Sequence, residues 1–88
     1  MPYVSEEKRD NLDYHISNLV ASIKKEEKLS GSINYSITRI LLEALKDPIS
    51  YDQYNSMIGV LECAKLELYR RRVAEYENLA KAKNGEVY

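Results

Sequence analysis

The sequence contains no tryptophan or phenylalanine, one cysteine, two prolines and three glycines. A lone cysteine, Cys63, cannot close an internal disulfide, and the ligand spacing of a zinc site is missing. The glycines Gly31, Gly59 and Gly85 are too far apart to form a phosphate-binding loop. We therefore expect an intracellular protein without a metal or cofactor, in which Cys63 is a small buried residue of a helix.

Long apolar runs are also missing. No stretch approaches the roughly 18 apolar residues of a transmembrane helix, and the opening MPYVSEEKRD lacks the pattern of a signal peptide. Thirteen Lys and Arg nearly balance fourteen Asp and Glu, for a net charge of -1. This balance disfavours binding to nucleic acids and to anionic membranes in general. The sequence therefore predicts a soluble protein of the cytoplasm.

The chain is short. With 88 residues it is expected to form one domain, residues 1–88. A domain of this size buries only about 60 to 65% of the surface that its unfolded chain exposes, so its stability is marginal when it is alone. Oligomerisation would add buried surface.

Apolar periodicity divides the chain into three helices, at about residues 5–28, 33–46 and 51–83. In the first, the apolar stripe runs from Leu12 to Ile23 and ends before a break of serine and glycine at residues 29–32. Candidate caps and stop signals lie at the helix ends: Ser5, Ser32, Asp47-Pro48, Ser50 with Gln53, and Asn84-Gly85.

The third helix is long for so small a protein. Residues 50–83 include no proline and one glycine, which predicts a helix of about 30 residues and roughly 45 to 50 Å. Its first half has an apolar face that we expect to pack on the first two helices. Its second half has a face rotated from the first, and this face is expected to contact another subunit. The two faces consist of Tyr54, Met57, Ile58, Leu61, Ala64 and Leu68, and of Tyr69, Val73, Tyr76 and Ala80. The predicted fold is an all-α, three-helix domain that forms a homo-oligomer through its long third helix.

Eight tyrosines provide all the aromatic rings. A tyrosine buries its ring but needs a partner for its hydroxyl, so these residues are expected at half-buried positions in grooves and interfaces. A rim around an aliphatic core is an equally good interpretation. The tyrosines are Tyr3, Tyr14, Tyr35, Tyr51, Tyr54, Tyr69, Tyr76 and Tyr88.

Catalytic groups are poorly represented. His15 is the only histidine, and its neighbours Asp13 and Ser17 are two residues away, a spacing that does not bring side chains together on a helix. Carboxylates such as Glu43 and Glu67 have cations four residues away. The sequence therefore predicts a protein that is not an enzyme.

Cations and phenol rings alternate along the third helix. Glu62, Lys65, Tyr69, Arg72 and Tyr76 follow at i, i+3, i+7, i+10 and i+14, which predicts one stripe that could hold phosphate and stack a base. The predicted start of helix two adds four residues near free amides that favour an anion: Asn34, Tyr35, Thr38 and Arg39.

We expect these residues to share one pocket if helices two and three form an antiparallel hairpin. Lys65, Arg72 and Arg39 would then hold phosphate, and Tyr69, Tyr35 or Tyr76 would contact the base. Two alternatives remain open. Arg70 and Arg71 are also explained as a solvated face with Glu67 and Glu75, and the stripe as a whole is equally typical of a hot-spot surface for a protein partner.

Several segments carry a resemblance to a known group of proteins. They are the opening MPYVSEEKRDNLDYHI, the central INYSITRILLEAL, the block IGVLECAKLELYRRRVAEYE and the ending NGEVY. Over essentially its whole length the chain resembles a family of small, largely uncharacterised helical proteins of bacteriophages and prophages. The resemblance implies a phage-encoded protein that acts in the bacterial cytoplasm, but it implies no chemistry.

Small phage proteins of this size include structural accessories, host-takeover factors and oligomeric sponges that sequester nucleotide immune messengers. The candidate pocket favours the last class, a non-enzymatic anti-defence protein that sequesters a small phosphate-bearing ligand. The alternative is an adaptor or structural accessory that binds a host or phage protein. The expected partners are other copies of the chain and a small nucleotide.

Overall fold

A computed structural model describes residues 4–88. The protein is all-helical, with 81% of the described residues in helices. The chain divides into an N-terminal unit, of which residues 4–44 are described, and a C-terminal unit, Leu45–Tyr88. Tyr3 and the first residues of the expected domain lie outside the described part, and the single domain over residues 1–88 stays a prediction.

The N-terminal unit consists of α1, Glu6–Lys24, and α2, Leu29–Ala44. Ser5 is the N-cap residue of α1, as predicted, although its hydroxyl makes no capping bond. Its carbonyl accepts a hydrogen bond from the Arg9 N–H at 2.9 Å. The helix ends four residues before the predicted bound, in a short turn that leads into α2.

The second helix begins earlier than predicted. The backbone N–H of Ser32 donates to the Lys28 carbonyl at 3.1 Å, so Ser32 already lies inside the first turn and is not the cap. Glycine and serine are weak helix formers in a helix interior, but the N–H groups of a first turn have no intrahelical partners to lose. The segment around Gly31 is therefore helical, and α2 ends at Ala44, two residues before the predicted bound.

The C-terminal unit contains the long helix, 34 residues from position 51 to position 84. It comprises α3, Tyr51–Leu68, a π-helical turn, Tyr69–Val73, and α4, Ala74–Asn84. At 1.5 Å per residue it is about 51 Å long, which confirms the predicted long third helix.

Both ends of the long helix have the predicted caps. The Ser50 hydroxyl accepts from the Gln53 N–H at 3.3 Å. The Gln53 side chain does not complete a capping box. Its Oε1 accepts from the Lys46 backbone N–H at 2.8 Å, and its Nε2 donates to the Lys46 carbonyl at 2.9 Å. At the other end Gly85 has a φ of 98°, a conformation that glycine adopts without strain.

The π-helical turn changes the direction in which α4 faces. A π-helix turns by about 82° per residue instead of about 100°, so five such residues set the following side chains back by about 90°. This shift returns the apolar residues of the second half to the face of the first. We call this aligned face the long-helix row: Tyr54, Met57, Ile58, Leu61, Leu68, Val73, Tyr76 and Ala80.

The prediction of a rotated second face is therefore wrong. One hydrogen bond supports the aligned geometry independently. The Tyr69 hydroxyl lies 3.2 Å from a carboxylate oxygen of Glu77, eight residues away. In a straight α-helix these residues would diverge by about 80°, whereas the π-helical turn places them on one side.

Neither unit has a hydrophobic core of its own, because no side chain in residues 4–88 is buried. Tyr54 and Tyr69 are half exposed, at 51% and 50%, but the other described tyrosines are more exposed than expected. Cys63 is also exposed, contrary to the prediction, because it lies two residues after Leu61 and faces away from the long-helix row. None of the described helices is long and apolar enough to cross a membrane.

Candidate ligand site

The first group of predicted site residues lies on α2. We call Asn34, Tyr35, Thr38 and Arg39 the α2 cluster. One nitrogen of Arg39 donates to the Tyr35 hydroxyl at 3.3 Å, and another pairs with the Glu43 carboxylate, as predicted. All three side chains are exposed and spaced by four residues. The result is a row in which a guanidinium is held between a phenol ring and a carboxylate.

The charge of Arg39 is secured by these contacts. The hydrogen bond to Glu43, and after it the bond to Tyr35, raise the pKa of Arg39 above its usual value. A permanently charged guanidinium with a planar set of donors suits phosphate oxygens. An incoming phosphate would compete with Glu43 for these donors.

One part of the prediction for α2 is wrong. Because α2 begins at Leu29, Asn34 and Thr38 lie beyond its first turn, where the free amides and the helix dipole no longer act on an anion. The Thr38 hydroxyl donates to the Asn34 carbonyl at 2.9 Å, so it is engaged within the helix. The α2 cluster thus offers Tyr35 and Arg39 as its accessible groups.

The second group lies around the π-helical turn. We call Lys65, Tyr69, Arg72 and Tyr76 the π-turn cluster. Lys65 forms an ion pair with Glu62 at 3.0 Å, and Tyr69 donates to Glu77. Within residues 4–88, Arg72 has no ion-pair partner. Its guanidinium is therefore the more available cation of this cluster.

The π-helical turn also spreads this cluster. The predicted stripe assumes a straight α-helix, but the wider turn moves Arg72 and Tyr76 away from Lys65 and Tyr69 by about a quarter of the helix circumference. One cation and one phenol thus lie towards each edge of the long-helix row. The single straight stripe is a wrong prediction, while the pairing of cations with rings remains.

The carboxylate of Glu77 controls the ionisation of Tyr69. Its negative charge opposes formation of a phenolate, and it accepts the phenol proton in a hydrogen bond, so the pKa of Tyr69 is raised. Tyr69 therefore stays a neutral donor, and its ring is fixed against the α4 side of the turn.

Arg70 and Arg71 behave as the solvated alternative predicts. Both pair with Glu67, at 3.5 and 3.3 Å, on the side of the helix opposite the long-helix row. Pairs as exposed as these contribute little to stability. They provide natural controls for the cations of the π-turn cluster.

Tyr35 also lines a groove of about 470 Å³ between α1 and α2 that the sequence did not reveal. Other residues around this groove are Lys28, Gly31 and Ser32. The sequence predicts a break between helices at this segment, whereas in the structure the segment belongs to α2 and forms one wall of the groove. The sequence signal for this wall is Gly31, which directly precedes Ser32 at the start of α2.

The sequence was compared with known families and proteins. It matches the family described as "Domain of unknown function (DUF6899)" over residues 1–87. The chain belongs to the DUF6899 family. No curated protein and no solved structure matches it. The resemblance of this DUF6899 chain to phage proteins stays a prediction.

The two clusters of the DUF6899 protein lie in different units, the α2 cluster before Ala44 and the π-turn cluster after Leu45. The approach of Arg39 to Lys65 and Arg72 stays a prediction. Outside both clusters, the His15 ring packs edge-on against the Tyr14 ring, with 5.2 Å between centroids. The chemistry that the clusters offer is the binding of anionic groups and planar rings.

Proposed function

We propose that this DUF6899 protein is a non-enzymatic binding protein that captures a small phosphate-bearing ligand of the nucleotide class. The observation that carries this proposal is the Arg39 guanidinium held 3.3 Å from the Tyr35 hydroxyl on an exposed face. A fixed cation beside an accessible ring meets both halves of a nucleotide, because the cation binds phosphate and the ring stacks on a base.

The π-turn cluster repeats this combination twice. Lys65 lies near Tyr69, and Arg72 lies near Tyr76, with one pair towards each edge of the long-helix row. A π-helical turn is a rare element that occurs frequently at functional sites. Its position within the segment YRRRV supports this region as part of the binding surface.

Sequestration fits the resemblance to phage proteins better than conversion of the ligand does. A phage protein that binds a nucleotide messenger of the host tightly, without turning it over, lowers the free messenger and blocks the defence that the messenger controls. The proposed role is therefore that of an anti-defence sponge in the cytoplasm of the host.

We also propose that the protein acts as a homo-oligomer in which the long-helix row contacts a second copy. The first half of the long helix, residues 51–67, has one Lys against one Asp and two Glu, a net charge of -2. The second half, residues 68–84, has three Arg and two Lys against two Glu, a net charge of +3. Antiparallel pairing brings each acidic half near a basic half, so long-range attraction favours a second copy in this orientation, even though Arg70 and Arg71 lie on the side opposite the row.

A second candidate function is that of an adaptor for a host or phage protein. It is favoured by the long-helix row, which combines two exposed tyrosines with aliphatic residues and lies beside Lys65 and Arg72. Tyrosine and arginine are the residues most enriched in binding hot spots. In this case the same face would bind a different protein in place of a second copy.

Thermal unfolding in the presence of cyclic and linear nucleotides tests the two candidates. A ligand at a hundred times its dissociation constant should stabilise the folded protein by about 2.7 kcal/mol, which a shift of the midpoint will report. A shift with one or more nucleotides supports the sponge. The absence of a shift with every member of the panel would leave the adaptor as the better proposal.

A further inference from the structure

The groove between α1 and α2 has the size of a small-molecule site. Its volume of about 470 Å³ lies within the roughly 300 to 1,000 Å³ of typical ligand pockets. It lies entirely within the N-terminal unit, where α1 contributes Leu19 and Ile23 and α2 contributes Gly31 and Tyr35. Most of its lining is apolar, as in most ligand pockets.

The floor of the groove is flat and apolar. Leu19 and Ile23 are only partly covered, and Gly31 has no side chain above its backbone. A Cβ atom added at Gly31 would meet only the Lys28 Cβ, at 3.9 Å, so the space above this glycine is open. A planar ring could therefore lie close to the α2 backbone at this point.

One wall of the groove carries the aromatic residue of the α2 cluster. The Tyr35 ring is 64% exposed, and its hydroxyl accepts a hydrogen bond from Arg39, which places a guanidinium next to this wall of the groove. Base stacking on an accessible tyrosine contributes about 1 to 3 kcal/mol per base.

The rim of the groove provides a few polar groups. Ser36 donates its hydroxyl to the Ser32 carbonyl at 2.8 Å, whereas the hydroxyl of Ser32 has no partner among residues 4–88. Glu26 and Lys28 contribute one carboxylate and one ammonium. A carboxylate accepts from the exocyclic amino group of a base, and an ammonium binds phosphate.

We propose that this groove is the nucleobase pocket of the ligand site. The base lies over Gly31 between Tyr35 and the apolar floor, Glu26 at the start of the groove accepts from an exocyclic amino group, and Arg39, further along α2, binds the phosphate. This inference rests on the proposed function and adds the base as the part of the ligand that α1 and α2 recognise. An amino-bearing base, as in adenine or guanine nucleotides, fits this set of groups.

The test uses Gly31→Leu, with Gly31→Ala as its matched control. Both changes favour the helix by replacing glycine, but only leucine fills the open space above the groove floor. Calorimetry measures the affinity for adenosine and guanosine monophosphates and for ribose 5-phosphate, which is the base-free probe. The difference between these affinities gives the contribution of the base. The full-length chain is used throughout, and its helicity is checked by circular dichroism.

We expect Gly31→Leu to weaken nucleotide binding by at least tenfold and to leave the affinity for ribose 5-phosphate unchanged. Gly31→Ala should stay within about threefold of the wild type. Tyr35→Leu should weaken nucleotide binding by roughly five- to 150-fold, the equivalent of one lost stacking contact. Normal nucleotide affinity in Gly31→Leu would overturn the groove proposal while the proposed function stands.

Failure of the proposed function gives a different result. If the wild type binds neither the nucleotides nor ribose 5-phosphate, both proposals are overturned together. If the wild type binds ribose 5-phosphate as tightly as it binds the nucleotides, the protein recognises phosphate alone and the groove is not a base pocket. Amide shifts at Ile23, Gly31 and Ser32 on nucleotide addition, observed by NMR, would support the groove directly.

Discussion

At the scale of single residues, the candidate site is characterised by the neighbours of each cation. Arg39 contacts a phenol and a carboxylate, Lys65 contacts a carboxylate, and Arg72 has no ion-pair partner in the described chain. Exposed ion pairs are weak, so these carboxylates do not prevent a phosphate from binding. What distinguishes these cations from Arg70 and Arg71 is that each has a tyrosine four residues away along its helix.

The first prediction concerns these cations. Changing Arg39, Lys65 or Arg72 to alanine should remove a charge-assisted hydrogen bond worth roughly 1.5 to 3 kcal/mol, which weakens ligand binding about tenfold to a hundredfold. Calorimetry with a nucleotide that gives a thermal shift measures the change. Arg70→Ala is the control, because Arg70 pairs with Glu67 on the opposite side of the helix. Equal affinities for all the variants would exclude these residues as the site.

The second prediction concerns the ionisation of Tyr69. The carboxylate of Glu77 raises the pKa of Tyr69 above the usual value of about 10. The contribution of this bond to stability is therefore complete below about pH 10 and is lost as the pH rises through the raised pKa. In an NMR titration Tyr69 should ionise above the usual pKa of a tyrosine, and Glu77→Gln should return its pKa towards the usual value. Ionisation of Tyr69 at the usual pKa of a tyrosine would contradict the hydrogen bond to Glu77.

At the scale of helices, the sequence predicted what depends on local chemistry. The cap at Ser50 forms because a serine hydroxyl lies next to the free N–H groups of the first turn. The helix ends at Gly85 because glycine tolerates a positive φ. The start of α2 was missed because Gly31 suggested a break, although a first turn tolerates glycine. Of the site, the pairing of Arg39 with Glu43 was predictable from their spacing of four residues, but the groove beside Tyr35 was not, since it depends on how α1 packs against α2.

The π-helical turn could not be predicted from periodicity. At 3.6 residues per turn, the apolar pattern shows only that the apolar face rotates after Leu68. This rotation predicts a change of packing partner. An extra residue within one turn explains the same pattern with a single continuous face. The five-residue spacing between Leu68 and Val73 is compatible with either explanation, and the backbone geometry distinguishes them.

The third prediction tests this explanation. Deleting Arg70 removes the extra residue, so residues 51–84 should form a regular α-helix in which Val73 and Ala80 still follow the long-helix row. Helical content and assembly should be retained, and the thermal midpoint should stay the same or rise. Circular dichroism and light scattering measure these properties.

The matched control for this deletion removes both Arg70 and Arg71. No extra residue is then left to absorb the second deletion, so α4 should rotate by about 100° and take Tyr76 out of the row. We expect this variant to remain helical but to lose its assembly. If the single deletion also abolished assembly, the π-helical turn would have a role other than alignment.

At the scale of the whole molecule, the central feature is that no described side chain is buried. Apolar burial is the main source of folding stability, and an exposed row such as that of the long helix leaves most of it unused. Surfaces of this kind occur where a partner covers them. The opposite charges of the two halves of the long helix favour a second copy in antiparallel orientation.

The fourth prediction tests this face with one negative charge. Val73→Asp places a carboxylate in the row at a cost of several kcal/mol when the row is covered, and it should yield monomers or unfolded protein. Asn78→Asp adds the same charge on the opposite side of the helix and should leave the assembly intact. Light scattering at micromolar concentration should give more than 10.2 kDa for the wild type. A measured mass equal to that of one chain at every concentration would contradict the proposed oligomer.

The fifth prediction determines the orientation of the two copies. In a Cys63→Ala background, which removes the only native thiol, Leu68→Cys lies at the midpoint of the long helix and Tyr54→Cys lies near its start. In an antiparallel pair the two midpoints meet, while the two starts are tens of ångströms apart. A disulfide requires Cα atoms within about 7 Å, so only Leu68→Cys should form a covalent dimer on mild oxidation. Rapid cross-linking of Tyr54→Cys would indicate a parallel pair, in which like charges face each other and the charge argument for a second copy fails.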